Sequence, residues 1–376
     1  MIRVFPDADV YSLIDNLPEN ERGFLQGREV HTSVIQHLPF GKRFYRHYLP
    51  IMPFVIEQFD LSSYDIVISS SYAVAKGVIT GPNQLHVSYI HSPVRFAWDL
   101  QHQYLKESKL TSGLKSLLVR WTLHKLRLWD VRTAAGVDRI LTNSHFVQRR
   151  IEKVYRRPSE VIYPPVDTTG FELKTEKDDF YLTASRMVPY KKIDTIVEAF
   201  TAMPEKKLVV IGDGPDFAKI KAKAGPNVQM LGYQSFSVLK DHMQRAKAFI
   251  FAAQEDFGIV PVEAQACGTP VIAYGRGGAL ETVRGLGRQN PTGLFFNEQT
   301  PDALRSAVET FEANGHLFDP VRIREHAQSF SQERFRQAFG AYVEEAWEDF
   351  ESSAVFPHSA PVYDGLPEPE YVAVGD

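Results

Sequence analysis

EDFGIVPVEAQACGTPVIA, residues 255–273, is the stretch on which the reading of this chain turns. An apolar, strand-like run, Ala248–Ala253, leads into it. Gly258 stands where a helix can begin, and Gly268 closes that helix before a second apolar run, Pro270–Tyr274. The order is strand, tight loop, short helix, strand, the unit from which parallel sheets are built. Glu255 and Glu263 lie at the two ends of the loop and helix. The glycine between them lets a ligand approach bare backbone, and free amides at a helix start favour an anionic or hydroxyl-rich ligand. Carboxylates accept hydrogen bonds from vicinal hydroxyls, so the pair is suited to a sugar or a ribose. Two surface acids flanking a buried helix are the plain alternative.

Outward from this unit the alternation continues. Short, often β-branched runs occur at Phe180–Ala184, Lys207–Ile211, Val228–Leu231 and Gly293–Phe296, with helical patterns at Ile193–Phe200, Phe217–Ala224 and Ser237–Ala246. Such repetition predicts a parallel sheet covered on both faces. In the first half, strands are predicted at Ala8–Leu13, Ile66–Ser70, His86–Ile90 and Arg139–Asn143. The two prolines of YPPVD, 163–167, stop any helix and mark a boundary. The expected division is a first domain over 1–165 and a second over 166–330, then a helix within 331–352 that is amphipathic over Gln332–Phe350. The tail, 353–376, has four prolines, four acids and no Lys or Arg from Phe356 onward, and is expected to be disordered.

A chain of 376 residues accommodates two domains. A formal charge of −4 argues against a general nucleic-acid binder, so no nucleic-acid partner is expected. The single cysteine, Cys267, excludes an internal disulfide and a cysteine-rich zinc site. No apolar run approaches the ~20 residues that cross a bilayer, and no signal peptide is visible. A cytoplasmic location is expected.

Glu255 to Glu263 match E-x-F-G-x-x-x-x-E, and on that motif the chain resembles the retaining GT-B glycosyltransferases of family four, glycosyl transferases group 1. The resemblance implies an α/β fold of GT-B type: two Rossmann-like, doubly wound domains facing a cleft, with a C-terminal crossover helix that braces the first. In that family the first Glu contacts the donor sugar, the second holds the ribose, and the amides after Phe-Gly face the sugar. Carried over, these are Glu255, Glu263 and the backbone at Phe257, Gly258, Ile259 and Val260. In ASRMVPYKKID the family's Arg followed five residues later by Lys selects Arg186 and Lys191, directly after a predicted strand. Two cations on a strand-to-helix turn suit a diphosphate, Arg as a fork and Lys as a point charge. A solvated basic turn is the plain alternative. Lys192 stands where many relatives have Gly.

His91, in YIHSPVRFAWD, falls at the carboxyl end of a predicted strand, where such sheets bind ligands. The resemblance implies that it orients the reacting sugar, and that Arg95, Trp98 and Asp99 shape the acceptor side. Gly212, in GDGP, lies near the nucleotide in the family; by itself the motif is weak, since Phe217 stands where a dinucleotide fingerprint needs glycine. Gly275, Gly277 and Gly278 open another helix and supply either ligand-facing amides or a plain turn. Asn143 and Ser144 match a position near the interdomain crevice or cap the next helix.

HSPVRFAWD and SRMVPYKKID look most like bacterial mannosyltransferases of surface polysaccharide and lipopolysaccharide synthesis. The implied reaction moves mannose from GDP-mannose to a hydroxyl of a glycan or lipid-linked acceptor, with UDP-glucose or another donor still open. No cofactor is implied beyond the nucleotide sugar, and no metal is expected, because Arg186 and Lys191 would offset the leaving diphosphate. Two segments mix bases with apolar residues, 40–54 and 114–132, and suit peripheral contact with an anionic membrane or packing on their own domain. Family members begin with a strand, a glycine-rich loop and a helix before the segment matching FPDADVYSLI. About one βα unit is therefore expected to be missing, leaving the neighbours of a central strand unpaired. That departure keeps open a truncated or non-catalytic nucleotide-sugar-binding protein, beside a phosphorylase or epimerase of the same fold.

Overall fold

The computed structural model describes residues 1–353 and 371–375. They divide into two compact units, Met1–Ile162 with Arg336–Asp376, and Tyr163–Phe335. The first unit contributes strands β1 (Asp9–Ser12), β2 (Val30–Thr32), β3 (Ile66–Ser71), β4 (Leu85–Ile90), β5 (Arg139–Thr142) and β6 (Glu160–Val161). The second contributes β7 (Tyr181–Ala184), β8 (Leu208–Ile211), β9 (Val228–Gly232), β10 (Ala248–Phe251), β11 (Val271–Tyr274) and β12 (Gly293–Phe296). A last strand, β13 (Tyr371–Gly375), returns to the first unit.

Both sheets are parallel throughout their recorded pairings. The second runs β12-β11-β10-β7-β8-β9. From β7 the chain winds outward through β8 and β9, and from β10 it winds the other way, so the order reverses between β7 and β10. Ligands of open α/β sheets bind outside the carboxyl ends of the strands at such a reversal. Its strands are apolar on both faces, as burial under helices requires: β7, β8 and β10 are buried along their whole length.

The first sheet runs β2-β1-β13-β3-β4-β5-β6. Two expectations are corrected here. The neighbours of the central position are not unpaired, because β13 lies between them: Val372 to Gly375 pair with Asp9 to Ser12, and Tyr371 to Gly375 with Ile66 to Ser70. The expected disordered tail is likewise wrong for Tyr371–Gly375; its part over 354–370 lies outside the described residues. The physical reason is local. Between Glu370 and Asp376 the tail has no proline and no acid, and YVAVG alternates large and small side chains with period two. Val372 and Val374 are buried in the core that holds Ile56 and Val67, while Tyr371 stacks on Phe5 at 4.6 Å.

The C-terminal helix Gln332–Ser353 passes its residues from Arg336 on to the first unit, where Phe339 meets Phe5 and Tyr89 edge-on. No described helix is long and apolar enough to cross a membrane.

Removing residues 371–376 is expected to strip hydrogen-exchange protection from β1 and β3 while β7 and β10 keep theirs. Val372→Asp, which buries an unpaired carboxylate, is expected to cost on the order of 3 kcal/mol in denaturant titration. Unchanged protection of Ile66–Ser71 in the shortened chain would show that the last strand contributes nothing.

Candidate functional site

In the second unit, four sequence-selected segments meet at the carboxyl edge of the sheet. After β7 the chain makes a loop and a single turn, Pro189–Lys191, and Lys192 takes a left-handed φ of 58° before the helix Ile193–Thr201. That left-handed conformation is one that Gly adopts without strain. Lys191 reaches the loop after β10, where its ammonium pairs with the Glu255 carboxylate, both side chains half-buried. Arg186 is exposed on the same loop. After β8, Gly212 gives its amide to the Gly232 carbonyl (2.8 Å), and a Cβ there would sit 1.9 Å from the Ser185 carbonyl oxygen. What Gly212 offers is therefore room, not a donor.

Gly258 is the N-cap of the helix Ile259–Ala266 with a φ of 88°, and no side chain caps that start. The amides of Ile259 and Val260 thus open the helix without a protein acceptor from a capping residue, the arrangement that attracts a negative or hydroxyl-rich ligand. Phe257 is buried against Tyr163 and Phe330 and anchors the loop from below. From the neighbouring strand, Gly278 donates to the Glu255 carbonyl (2.9 Å), and a Cβ on Gly278 would lie 2.4 Å from the Phe257 Cα. The two loops touch backbone to backbone.

Glu263, one helical turn further on, has its pKa raised, first by burial and then by the charge of Asp167. Tyr163 bonds Glu281, and burial together with that carboxylate pushes its phenol up to about 12. Sequence reasoning missed Asp167, Tyr163 and Glu281. The first two are the last and first residues of YPPVD, which reads only as a boundary unless its register against the edge is known.

In the first unit, His91 follows β4 at the carboxyl edge. Its Nε2 lies 3.0 Å from the Ser70 hydroxyl, and its carbonyl accepts from the Asn143 amide (3.0 Å). Ser144 caps the helix His145–Tyr155 through the Val147 amide (3.1 Å). His86, at the other end of β4, is fully buried and held neutral, its pKa lowered to about 4 mainly by desolvation. Position along one strand separates a structural histidine from one that a ligand can reach. Arg95 is half-buried. Trp98 donates its indole N–H to Asp130 (2.7 Å), and Asp99 is paired with Arg150 (2.9 Å). Both therefore hold the loop in place. Asp130 is buried and also takes the Lys76 ammonium (2.5 Å) and the Tyr155 hydroxyl.

Asp7 and Asp9 have Asp-x-Asp spacing, but Asp9 accepts from the Tyr64 hydroxyl (2.6 Å). No group of three His, Cys, Asp or Glu placed to hold a metal occurs among the described residues.

Two family models match, Glycosyltransferase Family 4 over residues 8–169 and Glycosyl transferases group 1 over 168–332. The chain is 24% identical over 308 residues to the alpha-1,3/1,6-mannosyltransferase ALG2 of Saccharomyces cerevisiae, covering 63% of this chain and 59% of that protein. It is 26% identical over 219 residues to the O-antigen chain mannosyltransferase RfbU of Salmonella typhimurium, covering 55% and 60%. The chain thus spans about six tenths of these two relatives. The solved sucrose-phosphate synthase of Thermosynechococcus elongatus superposes with a TM-score of 0.68 at 17% identity, covering 91% of this chain and 90% of that one. This likeness shows the GT-B fold.

Gly278→Ala is expected to force the Phe257 loop outward and cost about 1–3 kcal/mol, read as a lower thermal midpoint. Gly315→Ala, where an added Cβ meets nothing within 4 Å, serves as the control and is expected to leave the midpoint within a degree or so of the parent. Equal midpoints for the two variants would remove the close approach as a constraint.

Proposed function

The chain belongs to the glycosyltransferases of group 1 and family 4, and on that premise we propose that it transfers a sugar from a nucleoside diphosphate sugar to an acceptor hydroxyl. The observation that carries the reading is the meeting of Lys191, Glu255 and the uncapped helix start at Gly258 where the strand order reverses. Lys191 and Arg186 hold the diphosphate, Glu255 and the amides of Ile259 and Val260 hold the sugar, and Glu263 accepts from the ribose. In the transfer, the bond from the anomeric carbon to the β-phosphate oxygen breaks and a bond to the acceptor oxygen forms. The acceptor proton leaves with the departing diphosphate. Charge accumulates on that diphosphate, and fixed cations facing it lower the barrier without reorganising. Lys191 neutralises Glu255 when the site is empty and turns to the diphosphate when donor arrives. The two cations do this work with no divalent metal.

The finer reading is a mannosyl donor, GDP-mannose, and a glycan or lipid-linked acceptor of a surface polysaccharide or lipopolysaccharide, with the enzyme on the cytoplasmic face of a membrane. Its support is the likeness to ALG2 and RfbU and the match of HSPVRFAWD and SRMVPYKKID to that group. His91, held by Ser70 and Asn143, with Arg95 beside it, is assigned to the acceptor side.

The test is release of GDP from GDP-mannose, against UDP-glucose as competitor, with a polyprenyl-linked glycan as acceptor. Lys191→Ala and Glu255→Ala are each expected to lower kcat by about 10²–10³-fold, and excess chelator to leave it unchanged. Donor binding by calorimetry with no release in the parent chain would instead support a non-catalytic binding protein. Acidification through the raised Glu263 pKa protonates the group that accepts from the ribose. Donor affinity is therefore expected to fall on acidification sooner than with an ordinary Glu. Glu263→Gln is expected to bind more weakly at neutral pH and to lose that acid limb.

A further inference from the structure

The helix Gly113–Ala134 of the first unit is apolar on two sides. Inward it buries Leu123, Leu126 and Asp130. Outward it leaves Leu114 83% exposed and Trp121 58% exposed, with Leu117, Leu118 and Leu128 along the same face. Spacings of three and four place these residues on one stripe. Lys125 lies in that stripe with its ammonium over the Trp121 ring, and Lys115 and Arg120 flank it. The helix carries one acid, Asp130, which is buried and paired with Lys76, and the nearby Glu57 is taken up by Arg132 and the Trp129 indole.

The segment 40–54 extends the surface. Phe40 and Phe54 are 73% and 64% exposed, Lys42, Arg43 and Arg46 lie between them, and no Asp or Glu occurs from Val30 to Ile56. Leu49 packs against the cluster that holds Leu123 and Leu126 of the helix, which brings the segment 40–54 up to the helix.

We propose that this face docks flat on an anionic lipid bilayer, with the leucines and phenylalanines in the acyl boundary and the bases at the phosphates. The proposal rests on the glycosyltransferase reading only for its purpose, which is to bring a lipid-linked acceptor to the enzyme. Charge selects lipid over a second copy of the chain: two such faces would oppose base to base. About six turns of helix with bases throughout lie along an interface rather than cross it. The inward side of the same helix holds the acceptor-side loop, since Arg127 donates to the Ala97 carbonyl (2.7 Å) and Asp130 accepts from Trp98 (2.7 Å). Docking therefore sets Trp98 and its loop at a fixed depth beside the membrane.

The experiment is co-sedimentation of the full chain with vesicles of phosphatidylcholine and phosphatidylglycerol in equal parts, and with phosphatidylcholine alone. Binding is expected to the mixed vesicles only and to weaken with salt. Lys115→Glu and Lys125→Glu are each expected to weaken it by at least about fivefold, the share of one base near an anionic surface. Trp121→Glu, exposed and therefore harmless to the core, is expected to abolish it. Calorimetric donor binding should be unchanged in all three variants, which separates this face from the donor site. A chain that stays in the supernatant with mixed vesicles overturns the proposal. So does binding that none of the three substitutions alters, or a dimer dispersed by Trp121→Glu in a chain that ignores vesicles.

Discussion

Backbone contact between neighbouring loops is the constraint on which the carboxyl edge of the second sheet depends. The Gly278 Cα lies so close to Phe257 that a single added carbon would enter the peptide behind it, and that contact fixes where Glu255 leaves the sheet. The helix after Gly258 then starts at a set height, its amides pointing past Phe257, and Glu263 follows one turn later. The charged side chains can be precise only because the peptides beneath them have one arrangement.

The two units handle charge differently. Around Lys191 and Glu255 both partners are half-buried, so the ion pair lies within reach of solvent. Around Asp130 the pair is sealed, with Lys76 lying over the Trp129 and Tyr155 rings. Breaking a sealed pair leaves an uncompensated charge, a cost of about 3–5 kcal/mol. The first pair can rearrange, whereas the second holds the loop of Arg95 to Asp99 at one distance from its helix.

Much of this was legible in residues. Repeated apolar runs placed the strands of the second unit because each is four or five residues long and most are buried on both faces. Glycine at 258 and cations at 186 and 191 marked the edge because their spacing is tied to a strand end. The partners of Glu263 and His91 were not legible: Asp167 and Ser70 come from different strands or loops, and only the sheet order brings them near. The strands β2 and β6, three and two residues long, are too short to show a period. The last strand escaped for another reason. Its five residues follow a proline-rich, acidic stretch, and composition averaged over the whole tail hides them.

The position of that strand sets an order of assembly. The second unit is one unbroken stretch, 163–335, so every contact it needs exists once that stretch is made. The first unit is begun earlier but completed later, because the strand that joins β1 to β3 is synthesised after all the others. Its pairings span nearly the whole chain, and closing so long a loop is slow. Until then two apolar strand edges face each other unfilled, the kind of surface that invites pairing with another molecule. The half of the protein made first is thus the half that matures last.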